Sequence, residues 1–173
     1  HRGVSTAVTF VTGHEDPLKP SREVDWRALG CFKHTICIFM GVENLRGIAD
    51  ELMAGGRSPQ TPVAVIQNGA TPAQRVTEGD LAHIAGIAEQ AGVKPPAMIV
   101  VGEVSALRNT IGWYEKRPLF GLTALVTRSR TQAGVMSALL ASAGARTIEM
   151  PAIEIAPVPA RIPPGLPVLL DSN

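Results

Sequence analysis

The sequence predicts an α/β fold with a mixed sheet of about five strands flanked by helices, followed by an incomplete βαβ unit. Three apolar runs, at 35–45, 62–72 and 96–104, each contain a glycine turn after an apolar strand-like segment. Short apolar runs bounded by turn residues are typical of buried strands, and α/β sheets hold small ligands beyond the C-terminal ends of such strands. We therefore expect the three glycine turns to line a single cleft.

The composition limits the classes of function. The chain has 173 residues, of which 45% are hydrophobic and 18% are charged, and its formal net charge is +1. These values predict a soluble globular protein and give no sign of a nucleic-acid or membrane surface. Cys31 and Cys37 lack the spacing of a disulfide framework, so we interpret them as buried thiols of a cytoplasmic protein. The chain begins at His1 rather than Met, and we expect it to be a fragment.

Periodic patterns place the elements of the first part. Residues 42–54 repeat apolar side chains at helical spacing, and Gly55-Gly56 ends that helix. The segment Thr77-Glu78-Gly79-Asp80 resembles a capping box and predicts the start of another helix, which Pro95-Pro96 stops. The full prediction has strands at 4–11, 35–40, 62–67, 74–78 and 97–101, and helices at 21–29, 42–54, 81–91 and 104–114.

A polar stretch that ends at Pro118 predicts a domain boundary, with domains at 1–116 and 117–173. Beyond it, a strand at 122–127, a helix at 131–143 and a strand at 146–150 predict one parallel βαβ unit. A single βαβ unit cannot bury a core alone, so we expect the second domain to be incomplete. The sequence from Pro157 onward is rich in proline, and we expect it to be irregular.

Few residues carry a chemical signal by themselves. Met40 and Gly41, at a predicted strand end, are either ligand contacts through the backbone or a core methionine and a helix-entry glycine. Gly69 is likewise either a ligand-facing glycine or an ordinary turn residue. No spacing of histidine, cysteine and acidic residues indicates a metal site. Ser105 lacks the histidine and acid of a hydrolase triad.

Several motifs, taken together in this order, resemble the C-terminal half of the tetrapyrrole methylases, specifically the uroporphyrinogen-III C-methyltransferases. The resemblance covers nearly all of residues 1–114. It rests on Val8-Thr9-Phe10-Val11-Thr12-Gly13-His14, Met40-Gly41, Gly69, Thr71-Pro72-Ala73-Gln74-Arg75, Val101-Gly102-Glu103-Val104 and Leu107-Arg108 with Trp113.

The resemblance implies S-adenosyl-L-methionine as the cofactor, bound at Met40, Gly41 and Gly69. It implies uroporphyrinogen III as the substrate, contacted by Arg2 and approached by His14, although both side chains also fit a solvated surface position. The implied reaction methylates two pyrrole carbons and gives precorrin-2 for siroheme or cobalamin, in a homodimer. In this family a glycine-rich cofactor loop and most catalytic residues lie in an N-terminal half. That half is missing here, so the catalytic residues are unknown and we expect the chain alone to be inactive.

Residues 118–130, together with Ile148-Glu149-Met150-Pro151, resemble the start of uroporphyrinogen-III synthase. That resemblance implies a bifunctional fusion in which Thr127-Arg128 either faces the synthase cleft or forms an ordinary βα turn. Two other functions stay open: a methylase of another precorrin, and a non-catalytic dimerisation or interaction domain. A nucleotide-binding module is disfavoured because no GxGxxG motif follows a strand.

Overall fold

The computed structural model describes residues 3–14 and 24–154. The predictions for Arg2, for a helix start at Ser21 and for residues 157–173 lie outside these ranges. Within them, no helix is both long enough and apolar enough to cross a membrane.

A five-stranded mixed sheet forms the first part of the molecule, as the sequence predicted. Its strands are β1 (Val8–Thr12), β2 (Thr35–Phe39), β3 (Pro62–Gln67), β4 (Arg75–Asp80) and β5 (Ala97–Val101), in the order β1-β2-β5-β3-β4. β1 pairs parallel with β2, whereas β5 lies between β2 and β3 and runs antiparallel to both. β4 is the antiparallel edge strand beside β3. β1, β2 and β3 therefore point in one direction, and β5 and β4 in the other.

Three helices, α1 (Trp26–Gly30), α2 (Leu45–Ala54) and α3 (Ile84–Gln90), cover one face of this sheet. Alternate strand residues point toward them because successive side chains of a strand face opposite sides. The sheet contributes Ile36, Ile38, Val63, Val65, Ile99 and Val101 to the core, and the helices and the turn before α3 contribute Leu45, Ile48, Leu52, Leu81 and Ile84. The predicted apolar face of α2 is thus confirmed for its buried positions.

The opposite face of the sheet, here called the outer face, is partly covered. Residues 103–116 cross it over β3, β4 and β5 as two short 3-10 turns and α4 (Arg108–Ile111). The Ser105 hydroxyl fixes this crossing by donating to the carbonyl oxygen of Val100 at 2.9 Å. On β1 and β2 the outer face exposes Val8, Phe10 and Phe39, and the rings of Phe10 and Phe39 stack with centroids 6.3 Å apart.

A second, two-stranded sheet follows. β6 (Thr123–Val126), α5 (Arg130–Ser142) and β7 (Arg146–Glu149) form a parallel βαβ unit, which confirms the predicted pattern. α5 packs on one side, where Val126, Ala133 and Ala145 are buried. Leu125 and Ile148 are register partners and stay exposed. A parallel sheet is normally covered on both faces, whereas among the described residues α5 covers one face of this sheet and leaves Leu125 and Ile148 exposed on the other.

Several local predictions were wrong. β1 begins at Val8 rather than residue 4, and α2 begins at Leu45 rather than residue 42. The predicted helix at 104–114 is broken, since Gly112 adopts an extended conformation after α4. The predicted capping box is instead part of β4, where Thr77 pairs with Val65 and the Glu78 carboxylate accepts from Arg108 at 2.7 Å.

Candidate functional site

Three loops meet at one edge of the five-stranded sheet, here called the site edge. They follow the parallel strands β1, β2 and β3, which end at Thr12, Phe39 and Gln67. β5 runs the other way and begins at this edge, with Ala97 opposite Gln67. The loops after parallel strands are the usual ligand-binding elements of such sheets, so the site edge is the candidate functional site.

The third glycine turn expected in the cleft lies at the far edge instead. Because β5 is antiparallel to β2 and β3, its last residue is beside the beginnings of those strands. Gly102 N donates to Pro62 O at 2.9 Å, and a Cβ on Gly102 would lie 3.4 Å from the Cα of Thr35. The expectation that three glycine turns share one cleft is therefore wrong for Gly102. The loop after β1, with Gly13 and His14, takes its place.

A groove of about 600 Å³ opens at the site edge around Met40. The Met40 side chain is 63% exposed, and its backbone adopts φ 52, a left-handed conformation that costs a non-glycine residue free energy. The lining is mostly apolar, with one imidazole and one carboxylate. It comprises His14, Phe39, Met40, Val42, Glu43, Pro95, Pro96 and Ala97. Such a groove can take a ligand that is largely apolar and carries a few polar groups.

Gly41, beside Met40, is buried and faces the core. A Cβ on Gly41 would lie 2.8 Å from Ile38 Cγ2 and 3.0 Å from Ile99 Cδ1. Its missing side chain is therefore explained by packing beneath the groove. Close packing alone explains why a glycine stands here, without a ligand that approaches the backbone. Any ligand contact at Gly41 has to come from its backbone.

The loop after β3 is a second strained turn at the site edge. Gly69 is exposed and lies between Asn68 with φ 50 and Ala70 with φ 60. Together with Met40, these are all the non-glycine residues of positive φ in the described ranges. Such residues each cost about 1–3 kcal/mol and tend to cluster at functional sites. Asn68 N donates to Pro96 O at 3.0 Å, which ties the turn to the entry of β5.

Gln74 holds this turn in place, and sequence reasoning did not single it out as a site residue. Its Oε1 accepts from Ala70 N at 2.9 Å, and its Nε2 donates to Glu115 Oε1 at 3.2 Å. Glu115 in turn pairs with Arg108, which also binds Glu78. The signal in the sequence was the polar Gln74-Arg75 pair at the start of a predicted strand, but only the structure shows its partners.

His14 lines the groove, as the prediction of a substrate approach requires. Its carbonyl oxygen accepts from the Thr12 hydroxyl at 3.1 Å, so the loop after β1 is fixed locally while the residue stays exposed. The structure thus brings His14 and Met40 into one groove, with Gly69 in a neighbouring loop of the same edge. Within the described ranges, no group of three or more histidine, cysteine, aspartate or glutamate residues is arranged to hold a metal ion.

Two buried titratable groups lie outside the groove. Burial lowers the pKa of the Arg57 guanidinium, and nearby Glu103 partly offsets this by raising it. Arg57 donates to the carbonyl oxygens of Phe32 and His34 and so holds the chain that enters β2. Burial also raises the pKa of the Cys37 thiol. Cys31, predicted to be buried, is exposed, so only Cys37 confirms that prediction.

Comparison with known proteins shows which family the first half of the chain resembles. Residues 1–85 match the family model described as Tetrapyrrole (Corrin/Porphyrin) Methylases, and this range contains the loops after β1, β2 and β3. Over these residues the chain is similar to the tetrapyrrole methylases.

The individual proteins that the chain resembles include uroporphyrinogen-III C-methyltransferases. An S-adenosyl-L-methionine-dependent uroporphyrinogen III methyltransferase of Methanosarcina barkeri is 51% identical over 112 residues, which are 65% of this chain and 44% of that protein. A uroporphyrinogen-III C-methyltransferase of Bacillus subtilis is 32% identical over 151 residues, which are 87% of this chain and 31% of that protein.

A solved structure shows the same fold. The uroporphyrin-III C-methyl transferase of Thermus thermophilus, complexed with S-adenyl homocysteine, superposes with a TM-score of 0.52 at 30% identity and covers 62% of this chain and 46% of that one. The chain thus spans less than half the length of the relatives it matches.

Proposed function

We propose that this chain is the C-terminal part of an S-adenosyl-L-methionine-dependent uroporphyrinogen-III C-methyltransferase, which forms precorrin-2 for siroheme or cobalamin. The observation that carries the proposal is the 51% identity to the Methanosarcina barkeri enzyme. The family match contains all three loops of the site edge.

The groove at the site edge fits one side of a cofactor site. We assign Met40, the backbone of Gly41 and the turn at Gly69 to S-adenosyl-L-methionine. The support is the exposed Met40 side chain, the backbone strain at Met40, Asn68 and Ala70, and the bound S-adenyl homocysteine of the Thermus thermophilus relative. When bound, the cofactor supplies an electrophilic methyl group. This chain contributes position and orientation through loops that Gln74 and Asn68 hold rigid.

Uroporphyrinogen III is the proposed substrate, because the Methanosarcina barkeri relative is named for it. His14 faces the groove from the loop after β1 and is proposed to approach the tetrapyrrole. Arg2 is proposed to bind a substrate carboxylate, since a guanidinium binds carboxylates through two parallel hydrogen bonds. Since the chain covers 44% of that relative, we place the missing catalytic groups in the uncovered part and expect the chain alone to be inactive.

We further propose that residues 1–116 and 117–173 belong to two domains, the second being the start of a uroporphyrinogen-III synthase. The match to the Bacillus subtilis relative supports a longer parent protein that includes both parts of this chain. A match of 151 residues within a chain of 173 has to include residues 23–151, and so includes the βαβ unit. The exposed Leu125 and Ile148 support a domain with further layers beyond the described residues.

A homodimer in the cytoplasm completes the proposal. The exposed apolar residues Val8, Phe10 and Phe39 on the outer face form a patch of the kind that marks protein interfaces. The free, exposed thiol of Cys31 suits a reducing compartment.

Binding of S-adenosylhomocysteine tests the cofactor assignment. We expect isothermal titration to show binding that falls at least about tenfold, or 1.4 kcal/mol, in Met40→Asp, because a carboxylate would be placed against an apolar groove. Met136→Asp, on α5 and away from the groove, is the control and is expected to bind as the parent chain does. Equal binding by Met40→Asp would contradict the assignment.

The exposed patch on the outer face also favours a second candidate, a non-catalytic dimerisation domain. That candidate predicts dimers by analytical ultracentrifugation and no binding of S-adenosylhomocysteine.

A methylase of another precorrin is distinguished by assaying the full-length parent protein with uroporphyrinogen III. Sequencing the coding region on both sides of residues 1–173 tests the fragment and fusion proposals directly.

A further inference from the structure

A second groove, of about 460 Å³, lies between the loop after β3 and the βαβ unit, and we call it the junction groove. Its walls include Pro72 and Arg75 from the first part of the chain, and Phe120, Leu122 and Arg146 from the second. It shares no lining residue with the groove around Met40.

The junction groove carries uncompensated positive charge. Arg75 is the first residue of β4 and Arg146 the first residue of β7, and both are exposed. Neither guanidinium has an ion pair within the described part of the chain, and no carboxylate lines the groove. The neighbouring acid, Glu115, is already engaged by Arg108 and by Gln74.

Arg117 connects residues 103–116 with α5 of the βαβ unit. Its guanidinium lies 3.9 Å above the ring of Tyr114, and its Nε donates to the carbonyl oxygen of Tyr114 at 3.0 Å. Its Nη1 donates to Ala141 O at 3.4 Å, at the end of α5. Leu119 N also donates to Ala143 O at 2.9 Å. These contacts fix α5 to residues 103–116, and Gln74, which lines the groove beside Arg75, donates through Nε2 to Glu115 Oε1 of the same segment.

We propose that the junction groove binds a ring compound bearing several carboxylates, with Arg75 and Arg146 as its two anchors. Guanidinium groups pair with carboxylates bidentately, and Phe120, Leu122 and Pro72 offer apolar surface to a ring. The identification of this compound as the tetrapyrrole rests on the proposed function, whereas the preference for carboxylates rests on the charges of the groove. Its ligand would lie beside the loop that carries Gly69.

Fluorescence titration of uroporphyrin III against the complete 173-residue chain tests the proposal. We expect the double variant Arg75→Gln/Arg146→Gln to bind at least about tenfold more weakly and to lose most of the salt dependence of binding. The matched control is Arg27→Gln/Arg46→Gln, which removes the same charge from exposed positions on the helices. It is expected to bind as the parent chain does, and thermal unfolding checks that all variants fold.

Equal affinity in the double variant and the parent chain would overturn the proposal. Citrate is the second probe: binding of citrate but not of uroporphyrin III, lost in the double variant, would overturn the ring part of the proposal and leave a site for small polycarboxylates. S-adenosylhomocysteine binding is measured on the same samples and is expected to be equal in the parent chain and the double variant. If the parent chain does not bind S-adenosylhomocysteine, the cofactor assignment is overturned, while the result for the junction groove is unchanged.

Discussion

Gly13 and Gly41 are in direct backbone contact: a Cβ on Gly13 would lie only 2.4 Å from the Cα of Gly41. Two hydrogen bonds stabilise the contact. Gly13 N donates to Phe39 O at 2.7 Å, and the Asn44 side chain donates to Gly13 O at 3.0 Å. The loops after β1 and β2 are thereby fixed to each other, and so are His14 and Met40, which they carry.

This contact predicts that Gly13→Ala destabilises the fold by about 2–3 kcal/mol, because the added methyl group meets backbone that cannot rotate away. Gly47→Ala is the control, since Gly47 lies in α2 with no atom within 4 Å of its Cβ position. It is expected to stabilise by about 0.5–1 kcal/mol through helix propensity. Urea unfolding measures both; similar midpoints for the two variants would refute the packing argument.

The strained turn at Ala70 predicts an unusual sign for an alanine-to-glycine change. Ala70→Gly is expected to stabilise by about 1 kcal/mol, because glycine adopts φ 60 without steric cost. Ala73→Gly, an exposed neighbour without positive φ, is expected to destabilise slightly by increasing the entropy of the unfolded chain. Thermal unfolding of both variants decides, and a lower midpoint for Ala70→Gly would show that the turn is not strained.

The contacts of Gln74 predict a local effect. In Gln74→Leu the amide of Ala70 loses its acceptor, so hydrogen exchange at residues 68–71 is expected to accelerate about tenfold, which corresponds to roughly 1.4 kcal/mol. Gln60→Leu is the control, because within the described residues Gln60 bonds only to Ser58, at the far edge of the sheet from this turn. Unaltered exchange in Gln74→Leu would remove Gln74 from the positioning of the loop.

Arg57 is expected to be a major stabilising side chain. Arg57→Met leaves the carbonyl oxygens of Phe32 and His34 without their charged donor, which predicts a loss of about 2–4 kcal/mol. Arg46→Met breaks an exposed pair with Glu89 and is expected to cost less than about 1 kcal/mol. Denaturant unfolding separates the two; equal costs would mean that the buried guanidinium contributes no more than an exposed one.

The two cysteines are expected to differ in reactivity. Burial raises the pKa of Cys37, so its thiol stays neutral where an ordinary thiol ionises, and alkylation is expected at Cys31 first. The pH dependence of stability follows from this raised pKa. The stabilisation that the neutral Cys37 thiol contributes is complete below the pKa of the unfolded state, and it is lost as pH rises through the raised pKa of the folded state. Cys37→Ser should flatten the alkaline fall in stability. Mass spectrometry after alkylation identifies the modified site.

The sequence predicted the strands and helices well because the apolar patterns at β2, β3, α2 and the βαβ unit are strong and local. It failed where tertiary pairing decides. Thr77 to Asp80 fits a capping box, but its four residues pair in register with β3 and so form part of a strand. Strand direction carries no local signal, so Gly102 was assigned to the wrong edge. The sequence does not reveal the structural role of Gln74, because that role depends on hydrogen bonds to two partners, Ala70 and Glu115, which lie at different distances along the chain.

The antiparallel direction of β5 has a consequence for how protein units can be joined. The chain leaves the sheet at Gly102, beside Pro62, and returns along residues 103–116 to Glu115, beside Gln74. The length of this crossing sets where the following βαβ unit is placed along the sheet. Insertions or deletions within it would shift the βαβ unit toward or away from the loops of the site edge while leaving both units intact, so the length of one short connecting segment controls the distance between them.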